Sequence, residues 1–299
     1  MKCIFIYNPN SGSSKRITKK LDYIKSKLKE KYDEVDVVPT QYASHATKIA
    51  KDACGVYDCL VLAGGDGTFN EVINGLAGQE NKPIVGYLPA GTVCDMARNL
   101  GMTKNVEKCL DRILSGTVKE HDVCKINDRY FIYVACIGGY SSISYDAKSA
   151  SKKLLGRVAY AGSAILNLFR VKNKPMHVKI QVDNKTYIGK YSYIFIANTK
   201  SVGGFSLNKH AVLDDGKVDV LLIRKSFMNG LPKLAKLVAL GAENAAKYDK
   251  YMKHLIVDKV SVDVDDEDIY WNLDGEKGMS GDVEIAVLKE EVKMIEFKC

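Results

Sequence analysis

The sequence predicts an α/β chain in two parts: a parallel α/β domain with crossover helices over residues 1–118, to which a strand over 291–299 can return, and a β-rich domain over 119–290. Three observations carry this expectation. Short apolar runs alternate with helix-period segments through the first third; β-branched, alternating runs with Asn, Asp and Gly turns take over from about residue 119; and polar, glycine-bearing turns follow the early strands.

In order, KCIFIYN reads as a buried strand, and KRITKKLDYIKSKLKEK sets Ile17, Leu21, Ile24 and Leu28 on one helical face. VDVVPT is a strand, HATKIAKDAC a helix, CLVLAG a strand and NEVINGLAG a helix. PIVGYLPAG and a helix from about Cys94 continue the alternation of a parallel sheet with crossover helices. Beyond it, DVCKINDRYFIYVACIG, MHVKIQVDNKTYIGKYSYIFIAN, KVDVLLIRK, HLIVDKVSVDV and DVEIAVLKE read as antiparallel strands. Two helical stretches interrupt them, KKLLGRVAYAGSAILNLFR and NGLPKLAKLVALGAENAAKYDKYMK, and EVKMIEFK closes the chain as a strand.

Composition narrows the function classes. With 46% hydrophobic and 27% charged residues the chain is that of an ordinary globular protein. Its net charge of +8, from 44 Lys and Arg against 36 Asp and Glu, suits an anionic small molecule or membrane surface as well as a plain basic exterior. The lysines are dispersed and no aromatic-and-basic recognition block occurs, so nucleic acid is not an expected partner. Eight cysteines stand at 3, 54, 59, 94, 109, 124, 136 and 299 without C-x-x-C or histidine spacing, which reads as reduced thiols and excludes a zinc site or disulfide scaffold. His45, His121, His177, His210 and His254 show no spacing that implies a metal or a triad. The most apolar stretch, Val158 to Phe169, is shorter than the roughly 20 residues that span a bilayer. A cytoplasmic protein that touches a membrane only peripherally is expected.

The turn Gly64-Gly65-Asp66-Gly67-Thr68 joins a strand to a helix. Glycine there permits positive φ and lets a ligand approach the backbone, and the helix start offers free N–H groups to a phosphate. Thr68 either caps that helix or bonds a phosphate oxygen. Asp66 beside an anion makes sense if it orients a metal-bound water or receives a proton. Such a turn by itself is also read as a plain tight turn. Asn8-Pro9-Asn10-Ser11-Gly12-Ser13, Pro89-Ala90-Gly91-Thr92 and Thr40 are three more polar strand ends, and in an open parallel sheet such ends converge on one crevice.

NPNSG, GGDGTFNEVINGL and PAGTVCDMAR, in this order, resemble the signature blocks of the diacylglycerol kinase catalytic domain family, which also holds sphingosine and ceramide kinases. NTKSVGGF, AVLDDGKVDV and WNLDGE are similar to later blocks of its bacterial soluble members, so the resemblance spans nearly the whole chain. It implies an N-terminal Rossmann-like α/β domain of the NAD kinase and phosphofructokinase type, followed by a mostly antiparallel β-sandwich.

The resemblance further implies ATP in contact with Asn8, Ser11, Thr40, Gly65, Asp66, Gly67, Thr68, Glu71 and Thr92, together with Mg2+. Phosphoryl transfer is mainly positioning and charge neutralisation. Glu276 matches the glutamate taken as base in the bacterial enzymes and Asp66 the aspartate given that task in sphingosine kinases; Glu276 is the favoured base, with Asp66 orienting magnesium and its waters. A structural Mg2+ is implied at Asp215, with Val212 and Lys217 as backbone-carbonyl ligands, and Asp95 and Lys15 match positions in its water network. The Asp214–Lys217 turn alone also reads as a hairpin turn, Lys15 as one of many solvated lysines, and the helix Lys152 to Arg170 as core-facing or as bilayer-docking.

The implied partner is a lipid alcohol at the inner face of a membrane, with a homodimer among the oligomeric states the resemblance allows. Diacylglycerol leads; a sphingoid base, ceramide or undecaprenol, an NAD kinase-like activity and a non-catalytic ATP- or lipid-binding role are the alternatives. Two departures stand out. Cys94 replaces the asparagine of the usual Gly-Thr-x-Asn-Asp block, and CIGGYSSISYDA is longer than the usual glycine-rich block ending in Asp-Ala.

Overall fold

A computed structural model describes residues 1–92, 94–138, 175–199, 201–202, 205–206, 211–226 and 231–297. The chain divides into two compact units, residues 1–123 with 289–299, and residues 124–288.

The first unit follows the expected alternation. β1 (Lys2–Tyr7) leads through α1 (Ser14–Thr18) and α2 (Leu21–Leu28) to β2 (Glu34–Pro39), then α3 (His45–Ala53), β3 (Cys59–Gly64), α4 (Asp66–Leu76), β4 (Ile84–Pro89), α5 (Asp95–Asn99), α6 (Val106–Ser115) and the first part of β5 (Thr117–Ile126). Two single helices of the sequence reading are each divided in the structure. The first breaks at Lys19–Lys20 so that Ile17 and Ile24 both reach the core, and the second separates into α5 and α6, the latter capped by the Asn105 side chain on the Lys108 N–H at 2.9 Å.

β1 pairs in parallel with β2 on one side and β3 on the other, and β3 pairs in parallel with β4. The order β2-β1-β3-β4 therefore reverses between β1 and β3, and a crevice opens past the carboxyl ends of those two strands. β3 is buried along its whole length, because helices cover both faces of a parallel sheet.

In the second unit the strand pairs among the described residues are antiparallel. After the end of β5 come β6 (Arg129–Phe131), β7 (Val134–Gly138), β8 (Met176–Val182), β9 (Lys185–Ala197), the short pair β10 (Ser201–Val202) and β11 (Phe205–Ser206), and β12 (Val218–Arg224). α7 (Leu231–Lys247) contains a break at Gly241, whose φ of 78° lies in the left-handed region. β13 (Met252–Val257), β14 (Lys259–Val264), β15 (Tyr270–Leu273), β16 (Glu276–Ser280) and the first part of β17 (Val283–Glu296) complete it. β9 pairs with β8 through Tyr191 and from there with β7 and β12, which is how one long strand serves both layers of a β-sandwich. The inward set, including Trp271, Phe131, Ile180, Val220 and Ile285, forms a single core.

The second part of β17 belongs to the first unit, where Met294 pairs in parallel with Val85 of β4. Lys82 holds it there, with Nζ 2.8 Å from the Glu291 carbonyl and 2.5 Å from its carboxylate. The stretch Lys152 to Arg170 and most of CIGGYSSISYDA lie outside the described residues. Among the described residues no helix is long and apolar enough to cross a membrane.

Candidate nucleotide site

The first unit brings together most of the strand-end residues expected to bind a nucleotide. β1 ends at Tyr7, and the Asn8 N–H donates to the Ala63 carbonyl at 3.0 Å, which ties the β1 loop to the end of β3. Asn8 Nδ2 then donates to Thr68 Oγ1 at 3.2 Å, while its own Oδ1 accepts the Asn10 N–H at 2.9 Å. Asn8 therefore fixes both its own turn and the first turn of α4.

Thr68 does not cap that helix. α4 begins at Asp66 with Gly65 in the capping position and no side-chain cap, and Thr68 sits inside the first turn, where Asn8 orients its hydroxyl. The first intrahelical bond runs from the Phe69 N–H to the Gly65 carbonyl at 3.0 Å, so the N–H groups at the start of the helix find no acceptor within it. Uncapped N–H groups and the positive end of the dipole form an anion site.

The glycines serve close approach. Gly65 has φ of −93°, a value open to any residue, and positive φ is not what this turn uses. A Cβ on Gly91 would lie 2.5 Å from the Gly65 Cα, and one on Gly64 would lie 2.5 Å from the Thr68 Cβ. The Ala90 and Gly91 N–H groups both donate to the Gly64 carbonyl, at 2.7 and 3.1 Å. Two strand-end loops are thus pinched together backbone to backbone, leaving a surface of peptide groups without side chains.

Asp66 is tied to the same loop, its Oδ2 accepting the Cys94 N–H at 2.9 Å. Cys94 adopts φ 56°, ψ 58° and is 1% exposed, with burial pushing its thiol pKa up. The left-handed region tolerates asparagine far better than most side chains, so the departure from the family block falls where the backbone itself prefers the residue that is missing. Thr92 is half-buried, and its carbonyl accepts Lys104 Nζ at 2.6 Å.

Ser11 and Thr40 flank the crevice. The Ser11 N–H donates to the Asn8 carbonyl at 3.2 Å, yet its Oγ is buried with no hydrogen-bond partner among the described residues. A buried hydroxyl in that state lacks about 1–3 kcal/mol of hydrogen-bonding free energy until a polar group reaches it. The Thr40 N–H donates to the Tyr7 carbonyl at 2.9 Å, placing the buried Thr40 beside the end of β1.

Glu71 is turned elsewhere. Its two carboxylate oxygens accept the Ser44 N–H at 2.9 Å and the Ala46 N–H at 3.2 Å, so Glu71 caps α3 from outside that helix. Asp95 is buried and lies 3.7 Å from the Arg98 guanidinium, whereas Lys15 is exposed.

Two features of this region have only a faint signature in sequence. Arg16 Nη2 donates to the Pro89 carbonyl at 2.9 Å and anchors α1 to the end of β4, but it stands among lysines that hide it. The exposed Tyr42, in the loop after β2, stacks on His45, the first residue of α3, with ring centroids 4.4 Å apart, and His45 Nδ1 accepts the Gln41 N–H at 3.0 Å.

In the second unit, Asp274 and Gly275 form a tight hairpin turn between β15 and β16, at φ 50° and 90°. The buried Asp274 carboxylate accepts the N–H groups of Ile132, Tyr133 and Val134 at 2.8, 3.0 and 3.0 Å. These bonds fix the backbone of Glu276, the first residue of β16, whose side chain lies outside the described residues.

Asp215 Oδ1 accepts the Lys217 N–H at 3.0 Å across Gly216 at φ 73°, which is the geometry of an aspartate-led turn. One exposed carboxylate amid turn carbonyls is oxygen-donor chemistry that suits a hard cation. Among the described residues no three His, Cys, Asp or Glu side chains gather, so a cation here would depend on backbone oxygens such as those of Val212 and Lys217.

Residues 2–126 match the diacylglycerol kinase catalytic domain, and residues 135–296 match the YegS C-terminal NAD kinase beta sandwich-like domain. A diacylglycerol kinase of Bacillus subtilis (strain 168) is 34% identical over 279 residues, covering 91% of this chain and 89% of that protein. The chain belongs to the diacylglycerol kinase family. The diacylglycerol kinase of Staphylococcus carnosus (strain TM300) is 32% identical over 293 residues, 97% of this chain and 93% of its own. The crystal structure of a diacylglycerol kinase from Bacillus anthracis str. Sterne shares the fold, with a TM-score of 0.81 at 24% identity over 99% of this chain and 97% of that one. A second crystal structure from that organism gives 0.83 at 26% identity over 99% and 95%. The family's two-part architecture, an α/β domain followed by a β-sandwich, is the one the sequence predicts.

Proposed function

We propose that this member of the diacylglycerol kinase family is an ATP- and Mg2+-dependent lipid kinase that transfers the γ-phosphoryl group to the hydroxyl of diacylglycerol, giving phosphatidic acid. The observation that supports it most is the pinch between Gly65 and Gly91 at the uncapped start of α4, beside the buried, unpartnered Ser11 hydroxyl. A polyphosphate needs backbone N–H groups reachable without side-chain obstruction and a hydroxyl donor at the same place.

In this reading the first N–H groups of α4 and the Ser11 hydroxyl hold phosphate oxygens, while Asn8 keeps Thr68 oriented toward them. Asp66, restrained by the Cys94 N–H, is the carboxylate that orients the nucleotide's magnesium and its waters. That ion, when bound, neutralises charge on the phosphates. Glu276 is the proton acceptor for the lipid hydroxyl, carried at the start of β16 by the Asp274 turn; a base must come within about 2.6–3.2 Å of the proton it takes, or reach it through one water. Asp215, with the Val212 and Lys217 carbonyls, is the set assigned to a structural Mg2+. Thr40 and Thr92 border the nucleotide, and Glu71 acts on it only through the loop it caps.

Binding of a fluorescent ATP analogue tests the assignment. Gly91→Ala forces a backbone contact and is expected to weaken binding more than about tenfold, and Ser11→Ala about ten- to a hundredfold, in line with the loss of about one hydrogen bond to a charged group. Unchanged affinity in both variants, with folding intact, removes the site.

A further inference from the structure

A cavity of about 420 Å³ opens on the second unit, at the corner where β9 passes from β8 to β12. Tyr187, Tyr191 and Tyr251 line it together with Arg224, Lys250 and Lys253, and among the described residues no carboxylate does. Each cation lies against a ring: Arg224 Cζ is 5.4 Å from the Tyr191 centroid, Lys253 Nζ 4.3 Å from that of Tyr187, and Lys250 Nζ 5.2 Å from that of Tyr251. Among the described residues none of the three cations forms an ion pair, and the nearby Asp249 is 3.5 Å from Lys236.

The backbone is built to hold this arrangement. The register of β12 against β9 shifts between Ile223 and Arg224, and such a bulge re-aims the side chain that follows it. Arg224 Nε donates to the Tyr191 hydroxyl and Nη2 to the Ile188 carbonyl, both at 3.4 Å, while Nη1 has no acceptor among the described residues. Behind Tyr251 a further cation is buried: Lys233 Nζ is 5.3 Å from the ring centroid and has no hydrogen-bond partner among the described residues.

Like charges gathered in one concavity repel, and ring faces offset only about 0.5–1 kcal/mol for each exposed cation. What completes such a cluster is a compact, multiply charged anion. A guanidinium fork with two ammonium groups matches the oxygens of a phosphate group, and the volume leaves room for a small attached group above the rings. We propose that this pocket binds a phosphate monoester through Arg224, Lys250 and Lys253. Soluble phosphate esters and phosphorylated lipid headgroups share that chemistry.

The test is calorimetric titration of the full chain with glycerol 3-phosphate, alongside sedimentation with phosphatidylcholine vesicles that contain or lack phosphatidic acid. Wild type is compared with Arg224→Gln/Lys253→Gln, with Arg224→Lys, and with Lys25→Gln/Lys51→Gln, which removes the same charge from exposed lysines of the first unit. The expected result is binding weakened about tenfold or more in the pocket variant, as the loss of two charge-assisted contacts requires, less in Arg224→Lys, and little changed in the control. Pocket-dependent binding of the soluble ester identifies a free phosphate ligand; pocket-dependent binding of the vesicles alone identifies a lipid headgroup. Equal loss in pocket and control variants, or no loss in the pocket variant, overturns the proposal, as does the absence of saturable binding to either probe.

Discussion

The backbone N–H of Cys94 donates to Oδ2 of Asp66 across 2.9 Å, so the loop after β4 and the first residue of α4 hold each other in place. Cys94 does this from a left-handed backbone conformation that costs most residues about 1–3 kcal/mol. Replacement by a β-branched residue therefore strains the backbone further, at a side chain packed so close to Gly91 that a Cβ added there would stand 3.1 Å from the Cys94 Sγ. Cys94→Val is expected to lose about 2 kcal/mol in a denaturant titration, whereas Cys94→Asn stays within about 1 kcal/mol of wild type, because asparagine suits this region. Equal losses would show that the conformation of residue 94 is not what limits substitution.

Glu71 separates a structural role from a binding role. Its carboxylate accepts two N–H groups at the start of α3, so Glu71→Ala leaves them without a side-chain partner. A loss of about 1–2 kcal/mol of stability is expected, with nucleotide affinity changed less than about threefold at a temperature where the variant is folded. A much larger drop in affinity with unchanged stability would return Glu71 to direct ligand contact.

Buried thiols set the behaviour at high pH. Burial pushes Cys109 and Cys136 up to about 12 from an ordinary 9.0. Unfolding exposes thiols that lose their protons at lower pH, so the folded state binds more protons between those values and stability falls as pH rises from about 9 toward 12. The slope reaches about 1.4 kcal/mol per pH unit for each thiol. Denaturant titrations at pH 8 and 10.5 should show a smaller alkaline loss in Cys109→Ala/Cys136→Ala than in wild type; equal losses would mean that other groups carry it.

The alternation of strands and helices in the first unit was legible because parallel strands covered on both faces are continuous apolar runs, as Cys59–Gly64 shows. The strand-end residues were legible through their small and polar types, and Asn8, Thr68, Gly65, Asp66 and Gly91 do meet. What local pattern conceals is which of two uses a polar residue serves. Thr68 reads as a cap or as a phosphate ligand, and it does not cap but accepts the Asn8 amide; Glu71 reads as an ATP contact, and its carboxylate caps α3. That choice depends on the approach of α3 and of the β1 loop, which are distant in sequence. Asp274 was hidden for a similar reason: an Asp-Gly pair announces a turn, but the three N–H groups it receives come from residues about 140 positions earlier. The basic cavity was likewise not legible, since Tyr191, Arg224 and Lys253 converge only through strand pairing.

The most direct measurement is transfer of labelled γ-phosphate from ATP, with and without Mg2+, to diacylglycerol, sphingosine, ceramide and undecaprenol in mixed micelles, with NAD as a soluble acceptor. Wild type, Asp66→Asn and Glu276→Gln are compared. The expected result is Mg2+-dependent label in diacylglycerol alone, abolished in Glu276→Gln with ATP affinity intact and strongly reduced in Asp66→Asn. Label in NAD, label in no acceptor while ATP still binds, or near-normal turnover in Glu276→Gln would contradict it.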